Sequence, residues 1–83
     1  MFEKDRYYVM VLQAGWSFVG LPILNKDFSI TLKDAHNVQR HDGGGGLWAD
    51  LAELNSVTLD LYGEIHFRDP ILSSPLPEGW TPR

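Results

Sequence analysis

With 83 residues and no cysteine, the chain is too short for a second domain and has neither a disulfide framework nor a thiolate zinc site to reinforce a small core. Its formal net charge of −4 argues against a broad electrostatic grip on a polyphosphate backbone, so nonspecific DNA binding is not expected. The longest apolar stretch, Tyr7 to Leu12, is too short to span a bilayer, and the opening MFEKDRYY lacks the order of a secretory leader, so a cytoplasmic protein with no membrane partner is expected.

Arg6–Ala14 is apolar, rich in aromatic and β-branched residues, and ends at Gly15, which predicts a strand buried on both faces. Trp16–Leu21 follows one glycine later and makes a tight hairpin with it. Gly20 inside this run predicts a bulge or bend, and Pro22 an edge or an end of pairing. Asn25-Lys26-Asp27 is a polar turn, after which Asp27–Lys33 alternates, with Phe28, Ile30 and Leu32 on one face and Ser29, Thr31 and Lys33 on the other. Asp34–His41 either continues that strand irregularly or forms a loop.

Leu47, Leu51 and Leu54 fall at helical spacing and predict about two amphipathic turns, with Asn55 as the stop. Val57, Leu59 and Leu61 then alternate with Thr58 and Asp60, and Ile65 and Phe67 with Glu64, His66 and Arg68. Gly63 between these runs either bends one long strand or turns a hairpin. Asp69-Pro70 ends the ladder, Ile71-Leu72 starts a last short strand, and the proline-rich tail 73–83 lies extended over the surface, pinned by Trp80. The sum is a mainly β domain over residues 1–72: a small five-stranded, strongly bent sheet or a barrel of the Sm or SH3 kind, with one short helix between strands three and four.

The order of Val9–Gly15, Gly20-Leu21, Asn25–Asp27, Ile30–Ala35 and Gly63–Ile71 resembles the two sequence motifs of the Sm/LSm family of small β-barrels, which includes the bacterial host-factor RNA chaperones. The resemblance implies a base held at the turn by Asn25 and Ser29, stacked on Phe28, with Arg68 beside it. The chain departs from the family where Arg68 is followed by Asp69 rather than glycine, where an N-terminal helix is missing, and where the glycine-rich helical insert intervenes. The runs Leu32–Ala35 and Trp48–Ala52 also resemble small bacteriophage proteins, a likeness that implies no activity.

Gly43 and Gly44 open a run of four glycines before the helix, so their N–H groups and the helix start either receive a phosphate, with Arg40 and His41 adding charge, or form a plain flexible connection. No Lys-Ser or Lys-Thr follows, so the run is not a P-loop, and Asp42 at its mouth repels an anion. His36 and His41 lie five apart and, on a strand, on opposite faces, so no metal is expected. Asp50 and Glu53 read as solvated charges on the polar side of the helix, and no serine has a nucleophile's neighbours, so neither catalysis nor a cofactor is expected. Aromatic residues are numerous for so small a core, so some, Trp48 among them, are either stacking platforms and interface anchors or merely core fillers.

The expected function is therefore non-enzymatic: a homo-oligomer, its edge strands paired between copies, that binds or sequesters a nucleotide or short RNA, acting on a host nucleotide signal if its source is viral. The alternative is a protein-binding module or inhibitor, such as a phage inhibitor of a host defence protein, whose acidic surface meets a basic partner.

Overall fold

The computed structural model describes residues 1–54 and 56–82. In chain order it contains β1 (Tyr8–Val11), β2 (Ser17–Leu24), β3 (Ile30–His41), α1 (Leu47–Glu53), β4 (Val57–Phe67) and β5 (Leu72–Pro75). The strands form one antiparallel sheet in the order β4-β3-β2-β1-β5. Among the described residues the sheet stays open, with β4 and β5 as its two edges and no pairing between them.

Alternation along β1 divides the core in two. Tyr8 and Met10 join Phe18, Ile30, Leu32 and Ala35 on one side of the sheet. Val9 joins Val19, Leu51, Leu76 and Trp80 on the other, where α1 and the C-terminal segment form the cover. This is the strand buried on both faces that an unbroken apolar run implies.

The longer strands change allegiance midway. On β3, Ile30 and Leu32 pack in the first cluster, but Val38, also an even position, packs in the second. On β4, Val57 and Leu59 serve the second cluster, and Ile65 and Phe67 the first. A shift of one residue turns every later side chain to the opposite face. The shifts are visible as irregular register around Ala35, which pairs with Gly63. Asp34 there has φ 49° and Gly63 has φ 109°. Residues 34–41 thus continue the strand irregularly, and Gly63 bends one long strand instead of turning a hairpin.

The bulge predicted at Gly20 falls between Val19 and Leu21. Pairing of β2 with β1 stops at Gly20, so Pro22 sits where β2 bonds only to β3. Leu51 of α1 is fully buried, with Leu47 and Leu54 packed beside its cluster, as the helical spacing predicts. The stop assigned to Asn55 lies outside the described residues.

Three expectations about the strands and the C-terminal segment need correction. Phe28 is not on the apolar face of a strand: β3 begins at Ile30, and Phe28 occupies a left-handed turn position at φ 69° with its side chain exposed. Leu61 is exposed, because the β4 bend removes it from the face that Val57 and Leu59 occupy. The segment after residue 72 is pinned by Trp80, as expected, but is not otherwise a surface tail. Residues 73–75 complete β5 against β1, and Leu76 and Trp80 are buried, with the Trp80 indole N–H donating to the Leu51 carbonyl at 2.6 Å. Among the described residues no helix is long and apolar enough to cross a membrane.

Candidate functional site

The β2–β3 turn is held by its own side chains. Asn25 N–H donates to the Ser29 carbonyl at 2.8 Å, and Phe28 N–H to the Asn25 carbonyl at 3.0 Å. The Asn25 carboxamide donates to the hydroxyls of Ser29 (3.1 Å) and Thr31 (2.9 Å). Asp27 accepts from the Ser29 N–H at 3.0 Å and from its hydroxyl at 2.6 Å, the local bonding by which Asp and Ser stabilise turns.

Arg68 reaches this turn from just beyond β4. Its guanidinium donates to the Asp27 carbonyl and to the Asp27 carboxylate, both at 2.8 Å. The Ser29 hydroxyl, then the Ser29 N–H, then the Arg68 charge hold the Asp27 carboxyl below its ordinary range. His66 Nδ1 lies 2.9 Å from the Thr31 hydroxyl, and its Nε2 lies 3.2 Å from Glu64. In the midst of this bonded frame Phe28 is 77% exposed. The arrangement is an aromatic face on a stiffened turn with a guanidinium alongside, suited to a flat, uncharged ring better than to a free anion, because Asp27 already neutralises Arg68.

Asn25, Phe28, Ser29 and Arg68 are therefore brought together. The remaining candidates are elsewhere. His36 sits within β3, its Nδ1 3.0 Å from the Asp34 carbonyl. Arg40, His41, Gly43 and Gly44 gather at the opposite end of β3 and β4, which β4's 11 residues put up to roughly 35 Å away along the strand, and Trp48 stands in the first turn of α1. Trp48 donates its indole N–H to the Pro75 carbonyl at 2.8 Å.

At that far end the glycine run already has an anion. Asp50 is only 2% exposed, and its carboxylate accepts from the N–H groups of Gly43 (3.2 Å) and Gly45 (3.1 Å), with His41 Nδ1 at 3.3 Å. Reading Asp50 as a solvated charge is thus wrong, because the loop folds back over the first turn of α1. Arg40 pairs with Asp42 at 2.6 Å. Of the N–H groups in the glycine run, those of Gly43 and Gly45 are committed to the chain's own carboxylate.

Sequence reasoning missed Asp27, Thr31 and His66 at the turn. The alternation of Ser29, Thr31 and Lys33 put Thr31 on a polar face, but nothing in it showed that His66 lies directly opposite. No protein-family model, no curated protein and no solved structure matches the chain. What the fold and turn define is a small open antiparallel sheet with an aromatic, hydrogen-bonded turn at one end.

Proposed function

We propose that the chain is a non-enzymatic binding protein that holds a nucleotide or a short RNA at the β2–β3 turn. The observation that carries this reading is the exposed Phe28 ring on a turn stiffened by Asn25, Ser29 and Arg68. Stacking a base on such a ring contributes about 1–3 kcal/mol without regard to backbone charge. A net charge of −4 is compatible with that mode.

The Sm-like form of the proposal adds assembly. The open sheet leaves β4 and β5 unpaired on their outer sides, and edge-to-edge pairing of successive copies, closing into a ring, removes both.

The test is thermal unfolding against a panel of nucleotides and short oligoribonucleotides. A ligand that binds the folded state raises stability by mass action, about 2.7 kcal/mol at a hundredfold excess over Kd. Phe28→Ala abolishes most of that rise, and Arg68→Ala weakens it. A chain indifferent to the whole panel overturns the reading.

That outcome favours a protein-binding module, for which the exposed side chains of Trp16, Leu61 and Tyr62 speak. Large apolar residues grouped on an otherwise acidic surface are typical anchors for a partner chain.

A further inference from the structure

A second pocket lies away from the turn, between the β1–β2 hairpin and the C-terminal part of β3. Trp16, Ser17, Asn37, Gln39 and His41 line it, and its volume is about 370 Å³, within the range of small-molecule sites. Asn37 is its unusual member. The residue is only 7% exposed, yet among the described residues its carboxamide has no hydrogen-bond partner in the chain. No buried side-chain polar atom is both dry and unpaired among the described residues, so this amide is reached through the pocket.

The fold does not require an amide there. Asn37 stands directly opposite Phe18 on β2 and Asp60 on β4, a position where an apolar side chain beside Phe18 would pack without polar cost. An amide open towards a pocket is hydrated there, and a ligand that enters must replace that water with a donor and an acceptor of its own. The surroundings narrow what that partner is. Trp16 is 57% exposed and also borders an apolar groove of about 280 Å³ that contains Phe18 and Tyr62. Gln39 is held by Asp60 through its amide nitrogen at 3.1 Å, which leaves its carbonyl oxygen as an acceptor. His41 directs Nδ1 to Asp50 and keeps Nε2. Among the described residues no Lys or Arg lines the pocket.

We propose that this pocket takes a nucleobase, stacked on Trp16 and read along its adenine-type donor–acceptor edge by the Asn37 carboxamide. An amide offers one donor and one acceptor side by side, the complement of adenine's amino group and ring nitrogen. The two rings of a purine also cover an indole more fully than one ring does. With no Lys or Arg among the described lining residues, the base and not the phosphate is held, and adenosine and AMP bind alike. The proposal rests on the nucleotide-binding reading for its ligand class but not on the β2–β3 turn. A short RNA would then have two separate base contacts on one chain.

The experiment is an amide-proton NMR titration of the full chain with adenosine and with uridine. Adenosine is expected to move the Trp16 indole N–H and the Asn37 carboxamide signals, and Trp16→Ala to weaken it about tenfold or more. Asn37→Leu, which fills the site beside Phe18 without a polar group, removes the preference for adenosine over uridine. Shifts confined to residues 25–29 and Arg68 overturn this pocket while supporting the turn. No shifts at either place with millimolar adenosine overturn both. An unchanged affinity in Trp16→Ala also sinks the assignment.

Discussion

Asp50 shows how one side chain can decide what a loop does. Its carboxylate satisfies the N–H groups of Gly43 and Gly45 and sits beside His41, so Asp50→Ala leaves two donors unpaired and is expected to cost about 1–3 kcal/mol, read as a lower urea midpoint. In the sequence Asp50 reads as lying on the polar side of α1, but at three residues from Leu47 and four from Leu54 it shares their stripe, and with Leu51 it is buried. What spacing could not show is that the glycine loop supplies N–H partners for a carboxylate there. Gly20 is a simpler case. A Cβ there would lie 2.6 Å from Leu32 Cγ and 2.8 Å from the Lys33 carbonyl oxygen, so Gly20→Ala overpacks the bulge and should destabilise by about 1–3 kcal/mol. The bulge was legible in the sequence because glycine inside an apolar run has few other reasons to be there. At the turn, Asp27 has a lowered pKa, from the Ser29 bonds first and the Arg68 charge after them. Its contribution to turn order is present above the ordinary aspartate range and is lost as pH falls through the lowered value. Acidification should therefore broaden the Phe28 and Arg68 signals while leaving those of the core unchanged, and a pH-independent turn would contradict this account.

At the scale of elements, the two facing irregularities at Asp34–Ala35 and Gly63 are what curl the sheet. Alternation on either side of Gly63 was readable as two runs. The phase change between them was not read, because odd positions are apolar in both runs, and only packing shows that Leu59 and Ile65 serve opposite faces. Leu61 is the residue this misled. The bend is tied to the residue preceding β1 by the Tyr7 hydroxyl, which donates to the Asp34 carboxylate. Burial first, then that bond and the charge of Asp34, push the Tyr7 pKa from 10.0 up to about 12. The neutral phenol is thus favoured in the folded chain. The stability it contributes is complete below the ordinary tyrosine value and is lost as pH rises through about 12. Alkaline unfolding should be steeper for the parent chain than for Tyr7→Phe over that window, and equal slopes would show that the contact is incidental.

For the whole molecule, the C-terminal segment matters more than its prolines suggest. A run with three prolines after residue 72 reads as a surface tail, because proline cannot donate to a ladder. Pro75 nevertheless ends β5, and Leu76 and Trp80 then close the second core against Val9, Val19 and Leu51. Trp80→Ala should cost about 3–5 kcal/mol, a large share of the stability of so small a domain. The same segment frames the question of assembly. β5 holds β1 on one side only, and exposed Ile71 and Leu72 lie at this edge, as exposed Leu61 and Tyr62 lie on β4 at the other. Open edges bearing apolar residues are what charged side chains normally protect. Copies joined head to tail through these two edges would bury both sets at once. Leu72→Lys places a charge at that junction without entering either core cluster, so the fold should survive and the assembly should not. Native mass spectrometry of the parent chain is expected to give one oligomer of defined size, and Leu72→Lys monomers with unchanged circular dichroism. A parent chain that is already monomeric would remove the ring from the proposal and leave the turn and the Trp16–Asn37 pocket to act within a single copy.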